Sequence, residues 1–139
     1  MKYFKIKVIQ KLSGICKDYA VAKAYKGIFL KKEIGTIGMT VYKDKENSFF
    51  QIEHFRVRES FRKQGIGRKL ISAMIEEAKK ADCCEIIVYP ESESYEGEHD
   101  LEIELLYRIY EKYGFKFTDE SASRNISNNK MILVIGNFK

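Results

Sequence analysis

Apolar and polar positions alternate along the first residues, with Phe4, Ile6 and Val8 on one side, which predicts a strand over Tyr3–Ile9. Ser13 can cap a helix that runs to about Ala24. Ile28–Lys31 and Ile34–Tyr42 are rich in β-branched and aromatic residues and are separated by a short polar break, a hairpin pattern. The polar stretch Lys43–Ser48 reads as a turn and Phe49–Val57 as a further strand, so the early strands are antiparallel. From Ile66 onward Leu70, Ile71, Met74, Ile75 and Ala78 recur at three- and four-residue steps and predict an amphipathic helix ending near Ala81. Glu85–Tyr89 is short and almost wholly apolar, as a buried parallel strand should be. Leu101, Leu105, Leu106, Ile109, Tyr110 and Tyr113 trace a second helical face, stopped by Gly114, and Met131–Ile135 is a last strand. The fold class expected is a mixed α/β sheet, antiparallel at first and parallel about a strand–helix–strand crossover, in a single domain over residues 1–139 with no internal repeat or linker.

Composition narrows the function classes. A chain of 139 residues that is 45% hydrophobic and 32% charged can bury one core. No apolar stretch approaches the roughly 18 residues of a membrane span, and the start MKYFKIKVIQ lacks the apolar block of a signal peptide, so a cytoplasmic location is expected. The three cysteines are odd in number, and the neighbours Cys83 and Cys84 are poorly placed to pair, so reduced, buried thiols are expected. Two histidines and these cysteines show no ligand spacing, and no metal is expected. Charge is unevenly spread: Arg56 to Lys80 holds eight basic residues against three acidic ones, the whole of the net +5. Residues 91 to 104 carry Glu91, Glu93, Glu96, Glu98, Asp100, Glu102 and Glu104 with no Lys or Arg. One region suits an anion and the other a cation. The basic stretch holds only Phe61 as an aromatic, which argues against nucleic acid as partner.

The chemical signal lies where the strand Phe49–Val57 gives way to the helix at Ile66. A glycine-bearing turn there leaves backbone N–H groups without helical partners, in a place where the helix dipole favours negative charge. Gly65 and Gly67 permit close approach of a phosphate, and Arg62, Lys63, Arg68 and Lys69 add positive charge around them. Such glycines serve equally well in a tight turn with no ligand. A dinucleotide fingerprint would need glycine at Leu70, and a P-loop would need the Gly-Lys-Ser/Thr ending that is missing.

The run Phe55-Arg56-Val57-Arg58-Glu59-Ser60-Phe61-Arg62-Lys63-Gln64-Gly65-Ile66-Gly67 resembles the strand and Arg/Gln-x-x-Gly-x-Gly/Ala loop of the GCN5-related N-acetyltransferase (GNAT) family. Tyr110-Glu111-Lys112-Tyr113-Gly114-Phe115 is similar to that family's Tyr-x-x-x-Gly-Phe segment, and the order of elements matches across almost the whole chain. The resemblance implies an acetyl-CoA cosubstrate, no metal, an amine acceptor, a monomer or homodimer, and direct attack in a ternary complex. It implies that the strand Phe55-Arg56-Val57 lies along the pantetheine arm, with the Phe55 N–H at the thioester carbonyl and Val57 at the pantetheine amides. Arg62 and the amides of Lys63, Gln64, Gly65, Ile66, Gly67 and Arg68 would hold the pyrophosphate, and Glu85–Tyr89 would be the second of two splayed strands.

Acetyl transfer to an amine needs a deprotonated nitrogen and a proton for the departing thiolate. An alkylamine resembles lysine, with a pKa of about 10.4, so a base or a water chain must help near neutral pH. Tyr110 stands where the family has its general acid; the alternative is a core aromatic beside Tyr107 and Tyr113. Glu53 is the first choice of base, since strict alternation would put it on the face of Phe55 and Val57; a solvated strand carboxylate is its alternative. His54 and His99 are further candidates. The segment Pro90–Asp100 would border the acceptor and attract a cationic amine such as a polyamine, an aminoglycoside or a lysine-bearing peptide, or else is a hydrated loop. Relatives usually carry Asn and Ala where this chain has Ile103 and Leu106, and a proline where Glu59 stands. A rival reading is an acetyl-CoA-binding sensor or scaffold without catalysis.

Overall fold

The computed structural model describes residues 4–11, 18–26, 32–44 and 47–136. Among them seven strands form one mixed sheet: β1 (Phe4–Lys11), β2 (Asp18–Lys26), β3 (Lys32–Asp44), β4 (Asn47–Val57), β5 (Glu85–Val88), β6 (Lys116–Phe117) and β7 (Met131–Val134), in the order β1-β2-β3-β4-β5-β7-β6. The first four run antiparallel, β4 and β5 are parallel, and β7 lies antiparallel between β5 and β6. The helix α1 (Ile66–Lys80) links the parallel pair, and α2 (Ile103–Lys112) follows β5. A mixed sheet with its parallel step about the crossover is the fold class that periodicity predicts.

The segment up to Ala24 departs from expectation. Residues 12–17 of the expected helix lie outside the described residues, and from Asp18 the chain is strand β2. Ala20, Ala22 and Ala24 are fully buried while Tyr19, Val21, Lys23 and Tyr25 between them are not, a period of two. The alanines pair across the ladder with Met39, Ile37 and Gly35, and this flat face receives α1. A Cβ at Gly35 would stand 3.0 Å from Leu70 Cδ1 and 3.4 Å from Ile66 Cγ2, so close helix–sheet approach selects small residues here. The expected strand Ile28–Lys31 lies outside the described residues; Ile34–Tyr42 falls within β3, which pairs with β2 and β4.

Both helices end in caps that account for the sequence behind them. At the end of α2, Gly114 has φ 98°. Its N–H donates to Glu111 O at 3.0 Å, and the Phe115 N–H reaches back to Tyr110 O at 3.1 Å. This pair of bonds is a Schellman motif, and the rings of Tyr110 and Phe115, 5.2 Å apart, make its hydrophobic contact. The Tyr-x-x-x-Gly-Phe spacing is therefore a helix stop as well as a family mark. Helix α1 closes the same way, with Cys83 N–H to Ala78 O at 3.0 Å and Asp82 N–H to Lys79 O at 3.1 Å, except that Asp82 occupies the left-handed position at φ 52°. Cys83 and Cys84 are buried thiols in no disulfide, whereas Cys16 lies outside the described residues.

Candidate active site

The parallel pair runs only from Phe49 opposite Glu85 to Ile52 opposite Val88. Beyond that point β5 stops while β4 continues to Val57, so one side of β4 faces a gap. The Arg58 N–H donates to Ile34 O at 2.8 Å, toward β3; by strand alternation the backbone groups of Val57 and Phe55 point the other way, into the gap. The Val57 carbonyl accepts a 3.1 Å bond from Arg62 Nε, and Arg62 Nη2 donates to Ser94 Oγ at 3.4 Å. Arg62 thus braces β4 against the loop after β5.

A bulge changes which side chains share a face. Ile37 pairs with Phe55, Gly38 with His54, and Met39 with Ile52, which leaves Glu53 as an extra residue in β4. Ile52, Phe55 and Val57 all lie on the face of Ile37 and Met39, under α1. Glu53 lies on the other face, where the Tyr42 hydroxyl donates to its Oε1 at 3.4 Å. Simple alternation, which would have put Glu53 beside Phe55, fails at this one residue.

Two cavities meet across the gap. The larger, about 510 Å³, runs from the Arg62–Arg68 loop along Phe55, Arg56 and Val57 to Leu101, Leu105, Leu106 and Ile109 of the α2 region. Its charged lining is Arg56, Arg62, Lys63 and Arg68 with Glu93 as the one acid. At its mouth Lys63 and Gly65 have φ of 63° and 83° on either side of Gln64, and the N–H groups opening α1 follow directly. Such a run of turned amides forms an anion-binding concavity at a helix N-terminus. No atom lies within 4 Å of a Cβ position at Gly65, so the concavity is open there. Gly67 does a different job, since a Cβ on it would stand 3.2 Å from Phe55 Cζ and 3.8 Å from Val57 Cγ2. Its bare backbone lets the helix N-terminus approach β4.

The smaller cavity, about 340 Å³, is lined by Ile52–Phe55, by Val88 to Glu93 and by Tyr110. Its charged lining is Glu53, Glu91 and Glu93, together with His54. Phe55, Ser92 and Glu93 border both cavities. Tyr110 is 1% exposed and packs 5.9 Å, centroid to centroid, from the Phe55 ring. Burial, and after it the Glu93 carboxylate, push its hydroxyl far above the usual tyrosine value, so it stays protonated. His54 Nδ1 is 3.4 Å from Glu93 Oε2, and Arg56 Nη1 is 4.0 Å from Glu93 Oε1.

The acidic segment is pinned and ordered by long-range contacts. The Tyr95 ring lies between the guanidinium groups of Arg56 and Arg58, each 4.1 Å from its centroid. Its hydroxyl donates to Glu33 Oε2 at 2.7 Å, and Lys23 Nζ is 3.1 Å from Glu33 Oε1. Burial works against the Glu33 charge, but Tyr95, Lys23 and Arg56 outweigh it and hold the carboxyl below its usual range. Glu98 takes the Glu59 N–H at 2.6 Å and Arg58 Nη1 at 3.5 Å, and His99 Nδ1 sits 3.0 Å from Glu59 Oε2. His99 is therefore tied to the 3₁₀ turn Glu59–Phe61, outside both cavities.

Of the residues singled out in the sequence, Phe55, Arg56, Val57, Arg62, Lys63, Gly65, Gly67 and Arg68 line the larger cavity, and Glu53 and Tyr110 the smaller. Gln64 donates to Ser60 O at 3.3 Å, and Ile66 is buried in the core. Leu106, which departs from the alanine that the resemblance leads one to expect, is both core and cavity wall. Glu93 was one acid among seven in the sequence, and nothing local marks it; its place between the cavities comes from Arg56 and His54, far away in the chain. Among the described residues no group of three His, Cys, Asp or Glu side chains is placed to hold a metal, and no helix is long and apolar enough to cross a membrane.

Similar architecture occurs in solved structures of low sequence identity. The Escherichia coli ribosomal-protein-S18-alanine N-acetyltransferase superposes with a TM-score of 0.63 at 16% identity, covering 87% of this chain and 72% of the other. Naa50 of Arabidopsis thaliana, in complex with the bisubstrate analogue CoA-Ac-MVNAL, gives 0.61 at 21% identity over 81% of this chain and 71% of the other. The NatC complex bound to Gag peptide and CoA gives 0.62 at 21% identity over 84% and 70%. No curated protein matches the chain by sequence. The family model described as acetyltransferase (GNAT) domain matches residues 16–117, which takes in β2 to β6, both cavities and Tyr110. The chain, with its splayed parallel strands and glycine turn, belongs to the GNAT family of acetyltransferases.

Proposed function

We propose that the protein transfers the acetyl group of acetyl-CoA to a primary amine that arrives as a cation, by direct attack with both substrates bound. The observation that carries this reading is the pair of oppositely charged cavities that meet at Phe55 and Glu93 beside Tyr110. The larger one fits the cosubstrate: turned amides from Lys63 to Arg68 and their cationic neighbours suit the pyrophosphate, and the apolar wall of Leu105, Leu106 and Ile109 suits the pantetheine arm. The Phe55 N–H, directed into the gap, is the donor for the thioester oxygen. The smaller, acidic cavity suits an ammonium group, drawn in by Glu53, Glu91 and Glu93.

Tyr110 then serves the sulfur. Because burial holds its proton so firmly, it gives that proton to the departing thiolate only as it receives one from the nitrogen that has just been acylated. The test is a panel of spermidine, an aminoglycoside and a lysine-bearing peptide, each mixed with acetyl-CoA and protein while free thiol is followed. Acetyl-CoA-dependent thiol release with at least one amine is expected. Tight CoA binding with no release for any of them would overturn the reading in favour of a sensor.

A further inference from the structure

We infer that His54 is the group that takes the acceptor's proton, with Glu93 as the positioning residue that fixes its ring; this rests on the acetyl-transfer reading above. The bulge at Glu53 is what puts His54 in reach: both residues lie on the face away from α1, and both line the acidic cavity with Tyr110. Of the two, Glu53 already accepts the Tyr42 hydroxyl at 3.4 Å. The His54 side chain is 67% exposed and that of Glu93 33%, so the imidazole meets the acceptor while the carboxylate stands behind it. Glu93 offers one oxygen to each neighbour, Oε2 to His54 Nδ1 at 3.4 Å and Oε1 to Arg56 Nη1 at 4.0 Å. Arg56 is itself stacked on Tyr95, so the carboxylate is held from β4 and from its own loop. With Nδ1–H turned to Glu93, Nε2 is the nitrogen left to carry the lone pair, on a ring that lines the cavity.

The chemistry favours an imidazole. Proton transfer from an ammonium ion of pKa about 10.4 is less uphill to an imidazole, reference about 6.5, than to a carboxylate at about 4.3. The ammonium gives a proton to His54 Nε2; the freed nitrogen attacks the acetyl carbon and the C–S bond breaks. Sulfur takes the Tyr110 proton, Tyr110 regains one from the new amide nitrogen, and His54 passes its own to water, so one proton is released per acetyl transferred. The groups around His54 are Glu53 and Arg56 on β4, Gly38 and then Val21 across β3 and β2, Glu91 and Glu93 after β5, and Tyr110 on α2.

The test uses the full chain loaded with CoA for NMR and with acetyl-CoA and spermidine for rates. With only two histidines, the ring signals are assigned by the His54→Gln variant. Glu93→Gln is expected to loosen the Nδ1–H tautomer of His54, seen in the ring nitrogen shifts, and to lower kcat by about 10-fold with KM for acetyl-CoA unchanged. Glu93→Asp, which keeps the charge, should return both toward wild type. His54→Gln should remove the acid limb of kcat/KM and lower kcat by about 100-fold or more with CoA affinity unchanged. An acid limb that persists in His54→Gln, or a Glu93→Gln enzyme that is slower with the His54 ring signals unmoved, overturns the inference while leaving acetyl transfer intact. Absence of transfer by the wild type overturns the function itself.

Discussion

Replacing Gly67 with alanine tests the packing of α1 on β4 and the openness of the cosubstrate cavity at once. The new methyl would stand 3.2 Å from Phe55 Cζ, several tenths of an ångström inside a comfortable carbon–carbon contact of about 3.5 to 4.0 Å. In a closed core such overpacking costs about 1 to 3 kcal/mol. Phe55, however, borders both cavities, so its ring can yield by swinging into the gap. Alanine inside a helix also recovers up to about 1 kcal/mol over glycine. The two effects nearly cancel for folding, and we expect the melting temperature to move by less than about 4 °C, the shift that roughly 1 kcal/mol produces in a domain of this size. On the proposed reading the cost falls on ligand binding, because the displaced ring takes the space assigned to the pantetheine arm. CoA affinity measured by calorimetry should fall about 10-fold, equivalent to ~1.4 kcal/mol. A large drop in melting temperature with unchanged CoA affinity would refute the reasoning, for it would mean that Phe55 is locked and the gap is not where CoA lies.

Tyr110→Phe should lower turnover by about 10- to 100-fold while leaving the melting temperature nearly unchanged, since the ring contacts with Phe55 and Phe115 survive; wild-type turnover would make Tyr110 a core aromatic only. Burial pushes the Cys83 thiol up to about 11, above its unfolded value, so the native state keeps a proton that the unfolded chain gives up first. Its contribution to stability is whole below about pH 9 and is lost as pH rises toward 11, which denaturant titrations of wild type and Cys83→Ala across that range would show as a steeper decline in the wild type. Asp82→Gly should raise stability by about 0.5 to 1 kcal/mol, because only glycine takes the left-handed cap of α1 without strain; a thermal melt at or below wild type would contradict this.

The elements best read from sequence were those whose own side chains decide them. Leu70, Ile71, Met74 and Ala78 face the core as their spacing requires, and Gly114 ends α2 by the cap that its position implies. Strand β2 was misread because Ala20, Ala22 and Ala24 carry no apolar bulk: their smallness answers to Leu70 and Ile66 on a helix far along the chain. The two-residue β6 had no pattern to show. In the site, the glycine loop and Tyr110 were legible because local backbone geometry fixes them. The clasp of Arg56 and Arg58 about Tyr95 was not, and neither was the placing of Glu93, since each depends on residues about 40 positions apart meeting across the sheet. One cue did lie in plain view: the apolar positions of β4 step from Phe50 and Ile52 to Phe55 and Val57, a slip in parity that only a bulge can absorb.

That slip gives β4 the character of a reading frame. Upstream of Glu53 the even-numbered residues are interior; downstream the odd-numbered ones are, and the extra residue is the punctuation between the two phases. Residue 53 can therefore change its identity at small expense to the fold, but pairing it regularly opposite Gly38, with no bulge, would turn His54 and Arg56 inward beneath α1 and put Phe55 and Val57 in water. The strand would lose the linings that it gives to the basic and the acidic cavity together. In this chain the register of one strand, more than any single side chain on it, decides which groups line the two cavities.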